Sequence, residues 1–192
     1  MSLSAVLLCG GDSRRMGRDK ATIDWRGRPL WQVQLEKLRE LAPDRILLSA
    51  REDREWRPAD VGLVTDAAPS RGPLSGLAAA LAISSTDHLL VLAIDLPHLS
   101  ASQLQRITEM AAPGVGAAPL IDDRIEPLAA VYPRESAQFF RDALDTREYF
   151  SLQPLIRELA DAGRMRLINV ASSDRELYKN VNAPEDLMHS SQ

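Results

Sequence analysis

Short apolar runs alternate along this chain with longer segments in which apolar residues recur every three or four positions. The runs have the length of buried strands, and the periodic segments have the spacing of amphipathic helices. Ser75 and Ser100 stand where they can cap two of these helices. The alternation predicts an α/β protein with a mainly parallel sheet and helices on both faces. The predicted strands are Ala5–Cys9, Arg45–Ser49, Gly62–Thr65 and His88–Ala93, and the predicted helices are Leu30–Leu41, Gly76–Ile83 and Ala101–Met110.

The pattern changes after Val115. A turn at Asp122-Asp123-Arg124 is flanked by two apolar segments that predict strands, and two helical periods follow. No Gly/Ser-rich linker or internal repeat separates this region from the first part, so we interpret it as an extension within one domain over residues 1–192. The predicted strands are Gly116–Leu120 and Glu126–Tyr132, and the helices lie near Glu135–Leu144 and Leu152–Ala162.

Composition limits the classes of protein that fit. The chain has 192 residues, of which 45% are hydrophobic, enough for one domain with a sizeable core. A formal net charge of -4 and 5% aromatic residues give no footprint of nucleic-acid binding. No apolar run has the length of a membrane span, and the first residues lack a signal-peptide pattern. Cys9 is the single cysteine, which excludes an internal disulfide. We expect a cytoplasmic protein without nucleic-acid or membrane partners.

The segment after the first predicted strand concentrates glycine and positive charge in an acidic protein. It reads Gly10-Gly11-Asp12-Ser13-Arg14-Arg15-Met16-Gly17-Arg18-Asp19-Lys20. Glycines let main-chain N–H groups approach an anion closely, and the cations attract phosphate. A nucleotide-phosphate loop and a merely solvated basic loop both fit this composition. The coincidence of a strand, paired glycines and a terminal lysine favours the phosphate loop.

A second candidate is the carboxylate that ends the apolar run Leu89–Ile94. Asp95 would lie at the carboxyl end of a buried strand, where a carboxylate facing a triphosphate can bind Mg²⁺. Asp before Leu-Pro also commonly caps a turn, and the residues alone do not decide between the two. The three histidines lack metal-ligand spacing, and Ser13 has no evident His and Asp partners for a hydrolase triad. We interpret the three tryptophans as packing residues.

Several of these segments together resemble a known family. Leu8-Cys9-Gly10-Gly11, Ser13, Arg15-Met16-Gly17 and Asp19-Lys20 resemble the N-terminal signature of the molybdenum cofactor guanylyltransferases, which are nucleotidyltransferases with a Rossmann-like fold. Further matches follow in the family's order, so that the resemblance runs from about residue 3 to about residue 187. These matches are Val64-Thr65-Asp66, Gly72-Pro73-Leu74-Ser75-Gly76-Leu77, the strand-Asp-x-Pro segment ending in Asp95-Leu96-Pro97, Arg124 with Glu126-Pro127-Leu128, and Lys179-Asn180-Val181-Asn182-Ala183-Pro184-Glu185-Asp186-Leu187.

The resemblance implies a three-layer Rossmann-like fold and a role for each matched residue. Lys20, Arg15 and Asp95 would be catalytic, and Asp95 would bind Mg²⁺. The implied reaction transfers GMP from GTP to the phosphate of molybdopterin and releases pyrophosphate. Residues 1–112 would bind the nucleotide and residues 113–192 the acceptor side, with transient contacts to other cofactor-biosynthesis proteins or molybdoenzymes. The residues that would hold the nucleotide are Leu8, Cys9, Gly10, Gly11, Lys20, Asp66, Gly76 and Asn182.

Some positions depart from the family pattern and keep alternatives open. Cys9 stands where alanine is usual, and Ser49 stands at a strand end where some relatives have an asparagine that contacts the base. A related enzyme that uses CTP or another phosphorylated acceptor is therefore the alternative, although the adjacent Gly10-Gly11 pair favours guanine. A non-catalytic nucleotide-binding protein is a further alternative, which the presence of both Lys20 and Asp95 makes less favourable.

Overall fold

A single large sheet organises the chain. The computed structural model describes residues 1–9, 19–65 and 69–181. Seven strands lie side by side in the order β10-β7-β9-β6-β1-β4-β5, and β8 pairs with β7 as an eighth strand. A separate two-stranded ribbon joins β2 and β3. The strands are β1 Leu3–Leu8, β2 Asp24–Trp25, β3 Arg28–Pro29, β4 Arg45–Ser49, β5 Gly62–Val64, β6 His88–Ala93, β7 Gly116–Ile121, β8 Arg124–Ile125, β9 Ala129–Pro133 and β10 Met165–Asn169.

Most neighbouring strands of the main sheet are parallel. β1 pairs in parallel with β4 and β6, β4 with β5, and β7 with β10. β9 runs antiparallel to both β6 and β7 and lies between them. The strands β1, β4, β5 and β6 therefore all end at one edge, where their following loops collect. Ligands of open parallel sheets bind beyond this carboxyl edge.

Helices cover both faces of the sheet. Side chains alternate between the faces of a strand, and in β1 Ala5 and Leu7 join one apolar cluster while Val6 and Leu8 join the other. The first cluster includes side chains of α1 and α3, and the second includes side chains of α2, α4 and α5. The predicted three-layer α/β architecture is thus confirmed. The helices are α1 Leu30–Glu40, α2 Pro73–Ile83, α3 Ala101–Glu109, α4 Ala137–Thr146 and α5 Leu152–Asp161.

The predicted start of α2 is wrong. The helix begins at Pro73, after Gly72 in a left-handed conformation with φ of 71°, and not at Gly76. Proline suits the first helical position because its missing N–H has no acceptor there. Ser75 lies inside the first turn, and its hydroxyl accepts a hydrogen bond from the Arg71 N–H at 2.8 Å. The prediction for Ser100 is confirmed, since it caps α3 in a reciprocal capping box.

The predicted strand Glu126–Tyr132 begins too early. The structure places β9 at Ala129–Pro133, and the three residues before it form a turn. Pro127 has no N–H for a sheet ladder, and the Leu128 N–H bonds the Glu126 carboxylate at 2.9 Å instead. The short strands β2, β3 and β10 were not predicted at all. Among the described residues, no helix combines the length and the apolar character that a membrane crossing requires.

Candidate active site

The candidate site lies where β1, β4 and β6 end. Leu8 is paired with Ala93, so the chain leaves β1 and β6 at the same level of the sheet. The N–H of Cys9 donates to the Ser49 carbonyl at 2.9 Å, which ties the residue after β1 to the end of β4. Asp95 follows β6 by two residues in a tight turn. β6, β1 and β4 are parallel neighbours in the sheet, so the residues that follow them lie at the same edge.

Lys20 and Asp95 face each other at this edge. The Lys20 ammonium lies 3.3 Å from the Asp95 Oδ2 atom, and the two side chains are 18% and 20% exposed. Ion pairs shielded in this way are screened less by salt than pairs on the open surface. A cation that can neutralise phosphate and a carboxylate that can bind a metal therefore stand together, although they are 75 residues apart in the chain.

Asp19 fixes the turn from which Lys20 projects. Its Oδ1 atom accepts a hydrogen bond from the Ala21 N–H at 3.0 Å and caps a short 3-10 turn over Lys20–Thr22. Its Oδ2 atom accepts from the indole N–H of Trp56 at 3.3 Å and lies 3.9 Å from the Arg54 Nε atom. The loop after β4 thus helps to hold the lysine turn. Arg54 and Trp56 could not be predicted in this role, because no local sequence pattern connects them to Asp19.

Trp56 also packs as the sequence analysis predicted. Its ring stacks on that of Trp31, with centroids 5.2 Å apart and planes 15° from parallel. Trp25 meets His98 edge to face at 5.0 Å. All three tryptophans therefore pack against other aromatic rings, as predicted. Trp56 has one polar contact in addition, its hydrogen bond to Asp19.

Cys9 contributes its backbone and not a reactive thiolate. Burial raises the pKa of the Cys9 thiol well above its usual range, and the charge of Asp19 adds to this, against a smaller opposing effect of Arg54. A neutral, partly buried thiol is a poor nucleophile. The structure therefore agrees with a reaction that uses no side-chain nucleophile at this position.

A groove of about 780 Å³ is lined by Glu126 and by both residues of β8. Burial raises the pKa of Glu126, and the negative charge of Asp95 raises it further. The hydrogen bond from the Leu128 N–H lowers this pKa and so opposes both effects. Arg175 pairs with Asp122 at 2.5 Å within the same groove. Arg124 and Glu126, which the resemblance places on the acceptor side, line this groove together with Arg175, Tyr178, Lys179 and Asn180.

The chemistry of Asp95 fits a divalent metal ion. Mg²⁺ prefers oxygen ligands and in nucleotide enzymes takes one or two carboxylates together with phosphate oxygens and water. Asp95 offers one such carboxylate and remains accessible from the edge. Within the described ranges no group of three or more His, Cys, Asp or Glu side chains could form a metal cage. The described part of the site can therefore hold a metal together with a bound nucleotide.

Five of the predicted site residues are described by the structure. Lys20 and Asp95 are brought together, and Leu8 and Cys9 lie at the end of β1 beside them. At Gly76 the structure shows close packing, because a Cβ there would lie 2.6 Å from the Ser49 Oγ atom. Binding of a nucleoside by this glycine stays a prediction. The predicted residues outside the described ranges are Gly10, Gly11, Arg15, Asp66 and Asn182.

The C-terminal segment reaches the same edge. The N–H of Val181 donates to the main-chain carbonyl of Asp95 at 2.9 Å, and the Val181 side chain is buried. Asn182 itself lies outside the described residues. The end of the described chain is nevertheless anchored on the turn that carries the carboxylate.

A mainly parallel sheet with a cation and a carboxylate at its carboxyl edge defines a nucleotide-binding α/β enzyme. The sequence model of the MobA-like NTP transferase domain matches residues 5–165. The chain belongs to this family and is a nucleotidyltransferase, which confirms the resemblance found in the sequence.

Two named relatives align with nearly the whole chain. A protein of Opitutus terrae named probable molybdenum cofactor guanylyltransferase is 34% identical over 188 residues, which are 96% of this chain and 93% of that protein. The molybdenum cofactor guanylyltransferase of Pseudomonas putida is 32% identical over 187 residues, 96% of this chain and 95% of that protein.

Solved structures show the same fold at lower identity. Molybdopterin-guanine dinucleotide biosynthesis protein A of Archaeoglobus fulgidus superposes with a TM-score of 0.71 at 22% identity, covering 97% of this chain and 96% of that chain. The 2-C-methyl-D-erythritol 4-phosphate cytidylyltransferase of Thermus thermophilus gives a TM-score of 0.68 at 17% identity, covering 96% and 95%. The fold is thus shared by a molybdopterin-guanine dinucleotide biosynthesis protein and a cytidylyltransferase.

Proposed function

We propose that this protein transfers GMP from GTP to the terminal phosphate of molybdopterin and forms the guanine dinucleotide of the cofactor. The named relatives at 32–34% identity support the reaction. The observation in the structure that carries the proposal is the approach of Lys20 to Asp95, 3.3 Å apart at the carboxyl edge. The pair combines a positive charge that can neutralise phosphate with a negative charge that can bind a metal ion, and a nucleotidyl transfer uses both.

In the proposed step an oxygen of the molybdopterin phosphate attacks the α-phosphorus of GTP. The new phosphorus–oxygen bond forms as the bond between the α-phosphorus and the bridging oxygen to the β-phosphate breaks, and pyrophosphate leaves with that electron pair. Two anions must meet, so alignment and neutralisation of charge provide most of the catalysis. Lys20 and Arg15 neutralise the phosphates, and the amides of Gly10 and Gly11 hold the nucleotide.

Nucleotidyltransferases of this kind generally need a divalent metal, and we propose Mg²⁺ held by Asp95. When bound, the ion lowers the repulsion between the reacting phosphate groups. The residues of the chain then have separate tasks. Asp95 fixes the metal, while Lys20 opposite it is placed to bind a phosphate oxygen of the nucleotide.

The remaining residues divide between the two substrates. We assign Leu8, Cys9, Asp66 and Gly76 to the nucleotide, within a nucleotide-binding part over residues 1–112 of a single domain. Asn182 joins them from the C-terminal segment. Residues 113–192 form the acceptor side, and the groove that contains Glu126 supports this division because its described lining residues all belong to this part of the chain.

The proposed substrates also suggest where the enzyme works and which proteins it contacts. We infer a cytoplasmic enzyme that delivers its product through transient contacts with proteins of cofactor biosynthesis or with molybdoenzymes. Mass spectrometry of proteins cross-linked to the active enzyme in cells tests this inference. Recovery of cofactor-biosynthesis proteins or molybdoenzymes is expected, and a partner set without either class would contradict it.

The test measures pyrophosphate release with molybdopterin and GTP, CTP, ATP or UTP, with and without Mg²⁺. We expect Mg²⁺-dependent release with GTP, and its loss in Lys20→Ala and Asp95→Asn. Asp60→Asn is the matched control, since it breaks an exposed ion pair with Arg39 of 2.9 Å away from the site. Selective use of CTP would establish the cytidylyl alternative. Full activity of Lys20→Ala or Asp95→Asn would overturn the role given to that residue.

A further inference from the structure

The buried face of α1 contains two polar side chains. The helix packs Leu30, Leu35 and Leu38 into the apolar core, and on the same side Gln34 is fully buried and Lys37 is partly buried. A buried amide and a shielded ammonium destabilise a core unless they are hydrogen-bonded. Their presence among leucines therefore calls for partners, which the structure supplies.

Both residues bond the turn that carries Asp95. The Gln34 Nε2 atom donates to the Ala93 carbonyl at 2.9 Å, and the Lys37 Nζ atom donates to the Pro97 carbonyl at 2.7 Å. Lys37 Nζ also donates to Gln34 Oε1 at 2.7 Å. An ammonium only donates and a carbonyl only accepts, so these contacts fix the orientation of the amide. We refer to Gln34 and Lys37 as the α1 clamp.

The clamp brackets the carboxylate. Ala93 precedes Asp95 by two residues and Pro97 follows it by two, and the carbonyl between them, that of Asp95, accepts from the Val181 N–H at 2.9 Å. Three alternate carbonyls of the turn are thus held by donors from distant parts of the chain. Within the turn, the Leu96 N–H also donates to the Ala93 carbonyl, but at 3.4 Å. The bond that this carbonyl accepts from Gln34 is shorter, at 2.9 Å.

We propose that Gln34 and Lys37 are positioning residues that set Asp95 opposite Lys20 by holding the carbonyls of Ala93 and Pro97. The proposal rests on the proposed function, in which Asp95 binds the metal. Groups that orient a metal-binding carboxylate commonly change metal affinity tenfold or more when they are removed. An apolar residue in place of Gln34 or Lys37 would keep the packing of α1 and release the turn.

The test compares Gln34→Met and Lys37→Met with the matched control Gln32→Met. Gln32 lies on the same helix and its amide bonds Glu36 at 3.4 Å, away from the turn. Mg²⁺ binding is measured by calorimetry on protein saturated with a non-hydrolysable GTP analogue, and binding of the analogue is measured separately without metal. We expect Mg²⁺ affinity to fall about tenfold in both clamp variants. Affinity for the analogue without metal stays unchanged, which general loosening of the fold would not allow.

Two more variants keep the test decisive. Gln34→Glu retains an acceptor for Lys37 but loses the donor to Ala93, so it should weaken Mg²⁺ binding as Gln34→Met does, even if the latter folds poorly. Lys37→Arg keeps a cationic donor and should restore most of the affinity that Lys37→Met loses. If folded clamp variants bind Mg²⁺ as the Gln32→Met control does, Gln34 and Lys37 serve only packing and the proposal is wrong.

The parallel measurement on Asp95→Asn separates this proposal from the proposed function. If Asp95→Asn retains Mg²⁺ binding and transfer, the metal assignment fails and the clamp has nothing to position. If Asp95→Asn loses both while the clamp variants lose neither, the proposed function stands and only the clamp is refuted.

Discussion

Near the site, α2 packs closely against the ends of β1 and β4. A Cβ on Gly76 would lie 2.6 Å from the Ser49 Oγ atom and 3.2 Å from the Leu8 Cδ2 atom. Ser49 is 2% exposed, so its hydroxyl has little room to move away. We therefore expect Gly76→Ala to destabilise the protein, although alanine is the better helix former.

The magnitude follows from two opposing effects. Replacing glycine by alanine inside a helix stabilises it by about 1 kcal/mol. Forcing an extra methyl group into a packed interior destabilises by about 1–3 kcal/mol. Since an approach of 2.6 Å requires a shift of one side chain, the overlap prevails and the free energy of unfolding should fall by up to about 2 kcal/mol.

A double-mutant cycle with Ser49→Ala tests whether this overlap is the cause. Removing the hydroxyl leaves the Ser49 Cβ atom at 3.5 Å from the new methyl, an ordinary contact, and the Leu8 Cδ2 atom at 3.2 Å, which is the end of a side chain and needs to move by only a few tenths of an ångström. In the Ser49→Ala background, Gly76→Ala should then be neutral or stabilising, with a coupling energy of about 1–2 kcal/mol. Urea denaturation of the four proteins measures it, and Ala79→Gly on the same helix calibrates the propensity. Additive effects within about 0.5 kcal/mol would refute the reasoning.

Three further predictions concern stability. Ser100→Ala removes the cap of α3 and should lower the free energy of unfolding by about 1 kcal/mol in urea denaturation, whereas an unchanged midpoint would contradict the role of the cap. Gly116→Ala places a methyl against a main-chain oxygen of β9, so it should lower the melting temperature by more than Ser100→Ala does, and the reverse order would count against it. Burial lowers the pKa of Lys37 to about 8, with a contribution from Arg26 that Glu40 opposes. The unfolded chain then binds more protons above pH 8, so stability relative to Lys37→Met should rise by about 2 kcal/mol from pH 7 to 10, and a flat difference would exclude the shift.

The central strands could be predicted from the sequence because they are buried on both faces. The limits of β4 and β6 agree with the predicted Arg45–Ser49 and His88–Ala93, since their continuous apolar runs between polar ends have the length of a buried strand and are too short for a helix. The edge strand β10 is different. It is a mixed segment of five residues that includes Arg166 and ends in the exposed Asn169, and it becomes a strand by pairing with β7. Pairing between distant segments leaves no mark within the short segment itself.

The candidate site divides in the same way. Lys20 and Asp95 could be singled out from local motifs, but their approach to 3.3 Å depends on β1 and β6 being neighbours. Gln34 and Lys37 could not be singled out at all. The periodicity of α1 shows which face is buried, but it does not show that main-chain carbonyls 59 and 60 residues away lie against that face.

The position of Asp95 therefore depends on elements that no single motif contains. The parallel pairing of β1 with β6 sets the level of the turn, and the C-terminal segment holds the Asp95 carbonyl through Val181. Gln34 and Lys37 hold the carbonyls on either side of it. Main-chain carbonyls are present whatever the side chain, so a substitution within the turn can preserve these bonds, while an apolar substitution of Gln34 or Lys37 breaks them. Residues of α1 that never contact a substrate can thus determine where the carboxylate stands.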